Sequence, residues 1–187
     1  MRAPKSVDVK LDLKFLSIGG TWEPNDAERR AAWELYVELV TRIAVVPLRD
    51  GIARETLGSL YSIFGQSREI LRRYGPDIAE PKRDGEYNFG FLTVAMLNLA
   101  LRPVLSYWHP ELQVWEARRA ADRSVKAHED DWSRIGELRA ALEQVRAVLA
   151  TYAAVLAAAC GVPDLRAALP SAPGPGGAGP GGAGTTP

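Results

Sequence analysis

The sequence predicts a mainly α fold: a four-helix bundle whose third helix is kinked at a proline, with one N-terminal β-strand and a disordered C-terminal tail. Three observations carry this. Apolar residues recur at helical spacing through four long stretches between residues 21 and 168. Residues 7–15 alternate instead, with Val7, Val9, Leu11, Leu13 and Phe15 set between Asp8, Lys10, Asp12 and Lys14, the period of two that marks a strand with one buried face. After Leu169 only Pro, Ser, Ala, Gly and Thr remain, a composition that cannot bury enough apolar surface to order itself. The chain therefore divides into a strand and turn (1–20), a helical bundle (21–168) and a tail (169–187).

Almost everything after the strand reads as helix, so the strand has no evident partner in its own chain. Its backbone N–H and C=O groups must pair or be covered. The expected partner is a sheet edge in another protein or in a second copy of this chain. Tyr87–Phe91, or a path along the bundle, is the alternative within the chain.

Ile18-Gly19-Gly20 reads as a turn. A first helix then starts between Thr21 and Asn25, either of which can cap it, with Pro24 acceptable in a first turn. Trp33, Tyr36, Val37, Val40, Ile43 and Ala44 form its apolar face, and it is expected to reach about Val46, where Pro47 stops it. The second helix runs from near Asp50 to Tyr74 and ends at Gly75-Pro76. Leu57, Leu60, Tyr61, Phe64, Leu71 and Tyr74 form its face, widened by Ile52, Ile63 and Ile70. Gly58 and Gly65 stack two turns apart in it. Each costs roughly 1 kcal/mol against Ala, so a close neighbouring helix is expected there.

A polar loop over 76–86 leads to a third helix from about Asn88. It is apolar all round from Phe89 to Leu101 and so is expected at the centre. Pro103 should kink it, and Trp108-His109-Pro110 should break or bend it sharply before it continues to about Ala121. Residues 122–131 carry mixed charge and read as a loop. In the fourth helix Ile135, Leu138, Leu142, Val145, Leu149, Tyr152, Leu156 and Ala159 follow spacings of three and four, a coiled-coil-like seam, ended by Gly161-Val162-Pro163.

The 187 residues suit one domain, and 47% hydrophobic and 25% charged residues are ordinary for a globular protein. Lys+Arg and Asp+Glu both number 23, so no basic excess points to nucleic acid. Cys160, the only cysteine, excludes an intrachain disulfide and fits a reducing compartment. No apolar stretch follows Met1 as a signal peptide would. A cytoplasmic location is expected, and the richness in Ala, Arg, Gly and Pro fits a GC-rich bacterial source. Phe89–Trp108 and Val145–Val162 approach the length of a membrane span, but Asn98, Arg102, Pro103 and Arg146 fit buried bundle helices better, so no span is expected.

Little in the sequence points to chemistry. His109 and His128 are the only histidines, and neither has Glu three residues before it, which removes the usual di-iron bundle pattern. His109 is read as sitting at a helix end, favoured there by the dipole, and His128 as lying in a solvated loop. No phosphate-binding glycine motif occurs. Cys160 reads as a small apolar residue. No metal and no cofactor are expected. Arg68, Arg72, Arg73, Lys82 and Arg83 form a basic cluster read as a solvated face, with an acidic partner or a phosphate as the lesser alternative, and with Glu69 and Arg73 paired at i,i+4.

One polar stripe crosses the apolar third helix: Asn98, Arg102 and Ser106 every four residues, with His109 continuing it. It is either the helix's solvent edge, the favoured reading, or a ligand pocket in which Arg102 must be paired.

Tyr87 to Leu112, about one seventh of the chain, centres on Leu101-Arg-Pro-Val-Leu-Ser-Tyr-Trp-His-Pro110. It resembles a segment found in uncharacterised bacterial helical-bundle proteins associated with signalling or biological-conflict systems. The resemblance implies an accessory module beside NTPases or effectors, weight on Arg102, Trp108 and His109, and no catalytic role.

The expected function is that of a non-enzymatic interaction or regulatory module. It would act by strand pairing, with Val7, Val9, Leu11, Leu13 and Phe15 supplying the buried face. The alternative is a small-ligand sensor or cryptic enzyme with a pocket lined by Asn98, Arg102, Ser106, Trp108 and His109.

Overall fold

The first strand finds its partner in its own chain. In the computed structural model, which describes residues 4–13, 16–42 and 51–168, β1 (Val7–Leu13) pairs antiparallel with β2 (Leu16–Trp22) from Val7 opposite Trp22 to Leu13 opposite Leu16. The expectation of a lone strand followed by a turn and a helix start is therefore corrected. β2 keeps a period of two, with Ile18 and Trp22 buried. Consecutive glycines at 19 and 20 erase its alternation and look like a turn.

Only Gly fits at position 20. A Cβ there would lie 2.5 Å from the carbonyl oxygen of Gly85 and 2.7 Å from the Tyr87 ring, whereas one on Gly19 would meet open space. The crowding comes from residues 85–87 running beside β2. Thr21 N–H donates to Gly85 O at 3.2 Å, and Tyr87 N–H donates to Thr21 O at 2.8 Å, a single parallel bridge.

The rest of the described chain is mainly helical, with α1 (Asp26–Val40), α2 (Ala53–Tyr74), α3 (Phe89–Glu116), α4 (Val125–Asp130) and α5 (Ile135–Cys160). Asn25, not Thr21, caps α1: its side chain accepts from Glu28 N–H at 2.8 Å. The helix ends earlier than its apolar face suggests, because the Thr41 hydroxyl bonds back to Val37 O and Arg42 N–H closes a tighter turn onto Leu39 O. Ile43, Ala44, Val46, Pro47, Phe15 and the tail 169–187 lie outside the described residues.

α3 runs unbroken through Trp108-His109-Pro110, against the expected break, and stops at Glu116 rather than near Ala121. Ser106 and Pro110 are both exposed, so the carbonyl that Pro110 leaves without a donor lies on the solvent side. Before Pro103 the helix widens into a π segment, Met96–Leu101, with Arg102 N–H reaching Leu97 O. Such a widened turn moves the carbonyls that a proline ring would strike.

Residues 125–130, expected as loop, form α4, capped by the Ser124 side chain on Ala127 N–H. Its buried Glu129 reaches across to α2, where Ile52 sits at the cap position and offers no side-chain acceptor. The Glu129 carboxylate accepts from Ala53 N–H at 2.8 and 3.0 Å and from Arg54 N–H at 3.4 Å. Gly58 and Gly65 face open space, so no helix among the described residues approaches them. In α5 the seam from Leu138 to Ala159 is buried, and it packs across α1 and under Val7, Val9, Leu11 and Leu13.

α3 and α5 are long and apolar enough to cross a membrane by length and composition. In this fold 61% of the most apolar stretch of α3 is buried, and 44% of that of α5.

Glu28 joins the hairpin to the helices. It has no exposed surface, and its carboxylate accepts from Trp22 Nε1 (3.1 Å), Asn25 N (2.8 Å), Phe89 N (3.0 Å) and Lys82 Nζ (2.8 Å). Replacing Glu28 by Ala leaves three backbone and ring donors without their acceptor and the mostly buried Lys82 ammonium with only the Glu23 carbonyl. We expect a loss of about 3–5 kcal/mol in urea-unfolding stability. Gly20→Ala should cost roughly 1–3 kcal/mol by the same measurement, while Gly19→Ala should stay within about 0.5 kcal/mol. Equal costs for the two glycines would contradict the packing described here.

Candidate functional site

The polar stripe of α3 does face solvent. Asn98, Arg102 and Ser106 are all exposed, and Arg102 is in no ion pair among the described residues: its Nε donates to Asn98 Oδ1 at 2.9 Å. Trp108 points away from the stripe into a buried aromatic cluster. It meets Trp132 edge-on at 5.9 Å, with the Arg134 guanidinium 4.8 Å above its own ring. Of the five pocket residues expected from sequence, the structure brings Arg102, Ser106 and His109 into one cleft. Asn98 stands beside it and Trp108 is excluded.

That cleft lies between α2 and α3 and has a volume of about 260 Å³. Tyr61, Phe64 and Arg68 of α2 and Leu105 of α3 complete it. The guanidinium groups of Arg68 and Arg102 both sit over the Phe64 ring, 5.7 and 5.3 Å from its centre. The α2 residues follow helical spacing, but the sequence gives no sign that they face the stripe of α3. Of the basic cluster, Arg73 bonds Glu34 at 2.6 Å instead of Glu69, and Lys82 is drawn inward to Glu28.

His109 is in the interior of α3, not at a helix end, so the dipole does not explain it. Its Nδ1 lies 2.9 Å from Arg54 Nη1. A guanidinium can only donate, so Nδ1 accepts and the ring proton sits on Nε2. That Nε2 is buried and has no hydrogen-bond partner. Arg54 also grips Glu116 with its fork, Nε to Oε1 at 2.9 Å and Nη2 to Oε2 at 2.7 Å. Burial first, and then the neighbouring Arg54 charge, hold the imidazole pKa below its usual 6.5 against a smaller opposing pull from Glu116.

His128 belongs to α4 and not to a solvated loop. Its ring stacks on Trp115 at 4.6 Å and 8°, its Nε2 donates to Trp115 O, and Trp115 Nε1 donates to His128 O. Cys160 donates to Arg29 O at 3.4 Å, and burial pushes its thiol up to about 11, which leaves it uncharged and a poor nucleophile. Among the described residues no group of three or more His, Cys, Asp and Glu side chains could hold a metal ion.

The strand residues proposed to meet a partner are used internally: Val7, Val9, Leu11 and Leu13 are buried within the fold. What remains open is the backbone of β1's outer edge. Thr21, opposite Asp8, makes both its hydrogen bonds away from β1. Opposed residues of an antiparallel ladder share that orientation, so Asp8, and by the period of two Lys10 and Asp12, direct N–H and C=O away from β2. No backbone partner meets these groups among the described residues.

No protein-family model, no curated protein and no solved structure matches this chain.

A histidine whose pKa is lowered on folding takes up fewer protons than it does in the unfolded chain. Stability therefore rises with pH up to about the unperturbed 6.5 and is lost progressively as pH falls below it. An NMR titration should place His109 below 6.5, and Arg54→Met should raise that value. A His109 that titrates at or above 6.5 would contradict the geometry.

Proposed function

We propose that this protein is a non-enzymatic, cytoplasmic interaction module that adds a strand of a protein partner to the outer edge of β1. The four long helices α1, α2, α3 and α5 are read as one bundle, with α3 bent where its π segment meets Pro103. This scaffold holds the hairpin from one face. The observation that carries the proposal is the edge at Asp8, Lys10 and Asp12, which has no backbone partner among the described residues, in a two-stranded sheet. Backbone hydrogen bonds would supply affinity, as in other strand-addition complexes.

The side chains of Asp8, Lys10 and Asp12 are exposed and alternate in sign. They narrow the choice of partner, since opposite charges across a ladder are favoured and like charges are not. The pattern is also self-complementary. Two copies running antiparallel, with Asp8 of each opposite Lys10 of the other, would match both pairs. A second copy of this chain is therefore within the partner class.

Lys10→Pro tests the edge. The N–H it deletes points away from β2, so the hairpin loses no ladder bond, and proline is tolerated at such edges. Melting should shift by only a few degrees, corresponding to about 1 kcal/mol or less. Association, read by light scattering on the purified chain and by co-purification from cells, should be present in the wild type and lost in the variant. If wild type and Lys10→Pro associate alike, the β1 edge is not the interaction surface.

A further inference from the structure

The cleft between α2 and α3 offers donors and no carboxylate. Arg68 and Arg102 converge on one phenyl ring from two helices, and neither forms an ion pair among the described residues. Three other cavities differ: each contains at least one acid, Glu34, Asp12 or Glu38 among them. Two guanidiniums held close together raise the local positive potential, which an anion between them relieves.

Two further groups border the same space. Arg54 fixes His109 in the tautomer that carries its proton on Nε2, and that buried N–H has no acceptor. Ser106 lines the cleft with a hydroxyl whose present bond, to Pro103 O, is long at 3.4 Å. A carboxylate has two oxygens and one charge. A phosphomonoester has three terminal oxygens and close to two charges near neutral pH, which matches two guanidiniums and two neutral donors.

We propose that this cleft binds a small phosphomonoester. Its phosphate lies between Arg68 and Arg102, within reach of His109 Nε2 and Ser106 Oγ, and its compact apolar body rests on Leu105 and Tyr61. A volume of about 260 Å³ limits that body to roughly one ring. The site is independent of the β1 edge and stands or falls without it.

The test is calorimetric titration of the full chain with phenyl phosphate, inorganic phosphate and benzoate. Phenyl phosphate should bind saturably and more tightly than either of the others. Arg68→Gln and Arg102→Gln should each weaken it at least about tenfold, while Arg72→Gln, an exposed arginine of α2 outside the cleft, should leave it unchanged. Both cleft arginines are exposed, so these variants should fold, which circular dichroism checks. The His109 ring signals should shift on binding in the wild type. Absence of saturation at about 10 mM, equal weakening by Arg72→Gln, or benzoate binding as tightly as phenyl phosphate would each overturn the proposal.

Discussion

Four donors from separate parts of the chain meet on the carboxylate of Glu28, in a place water does not reach. Trp22 brings the end of the hairpin, Asn25 the start of α1, Phe89 the start of α3, and Lys82 the loop between α2 and α3. A buried ion pair adds little net stability, because desolvating both charges offsets most of their attraction. What Glu28 supplies is position. An unsatisfied carboxylate in the core is so costly that arrangements missing one of these donors are penalised heavily. The N-terminal dipoles of α1 and α3 both favour the negative charge placed between them.

Glu129 repeats the device at the other end of α2. Ile52 cannot cap that helix, and a carboxylate from α4, 76 residues further along, accepts its first N–H groups. α4 is itself held by the reciprocal bonds and ring stacking of Trp115 and His128. A short helix with a mixed-charge sequence is thus ordered by what it delivers and not by its own propensity.

These long-range acids explain which features were legible in the sequence. Signals that act within a turn or two could be read. The alternation of Val7 to Leu13, the Asn25 cap, the Asn88 start of α3 and the seam of α5 all appear in the structure. Features set by contact between distant segments could not. β2 was hidden because Gly20 is required by the approach of Gly85 and Tyr87, residues far along the chain. α4 looked like a loop because its reason for existing lies at Ala53. Gly58 and Gly65 misled in the opposite direction, since a glycine on an exposed helix face carries no information about packing. For the cleft, the sequence showed the α3 stripe but not the α2 residues that meet it, because no local pattern states which faces of two helices adjoin.

The cleft draws its order from this buried framework. Arg54 ties the two together: Glu129 accepts from its backbone N–H, and its guanidinium grips Glu116 while fixing the His109 tautomer. The tautomer of His109, which borders the cleft, is therefore set before any ligand arrives, and a preorganised donor loses less entropy on binding than a mobile one. The charge state follows the same logic. With Arg54 on one side and Arg102 and Arg68 lining the same cleft, an imidazolium would add a further positive charge in a half-buried place. Burial and Arg54 keep the ring neutral. His109 can then offer a hydrogen bond to an anion without adding to the repulsion that the two open arginines already create.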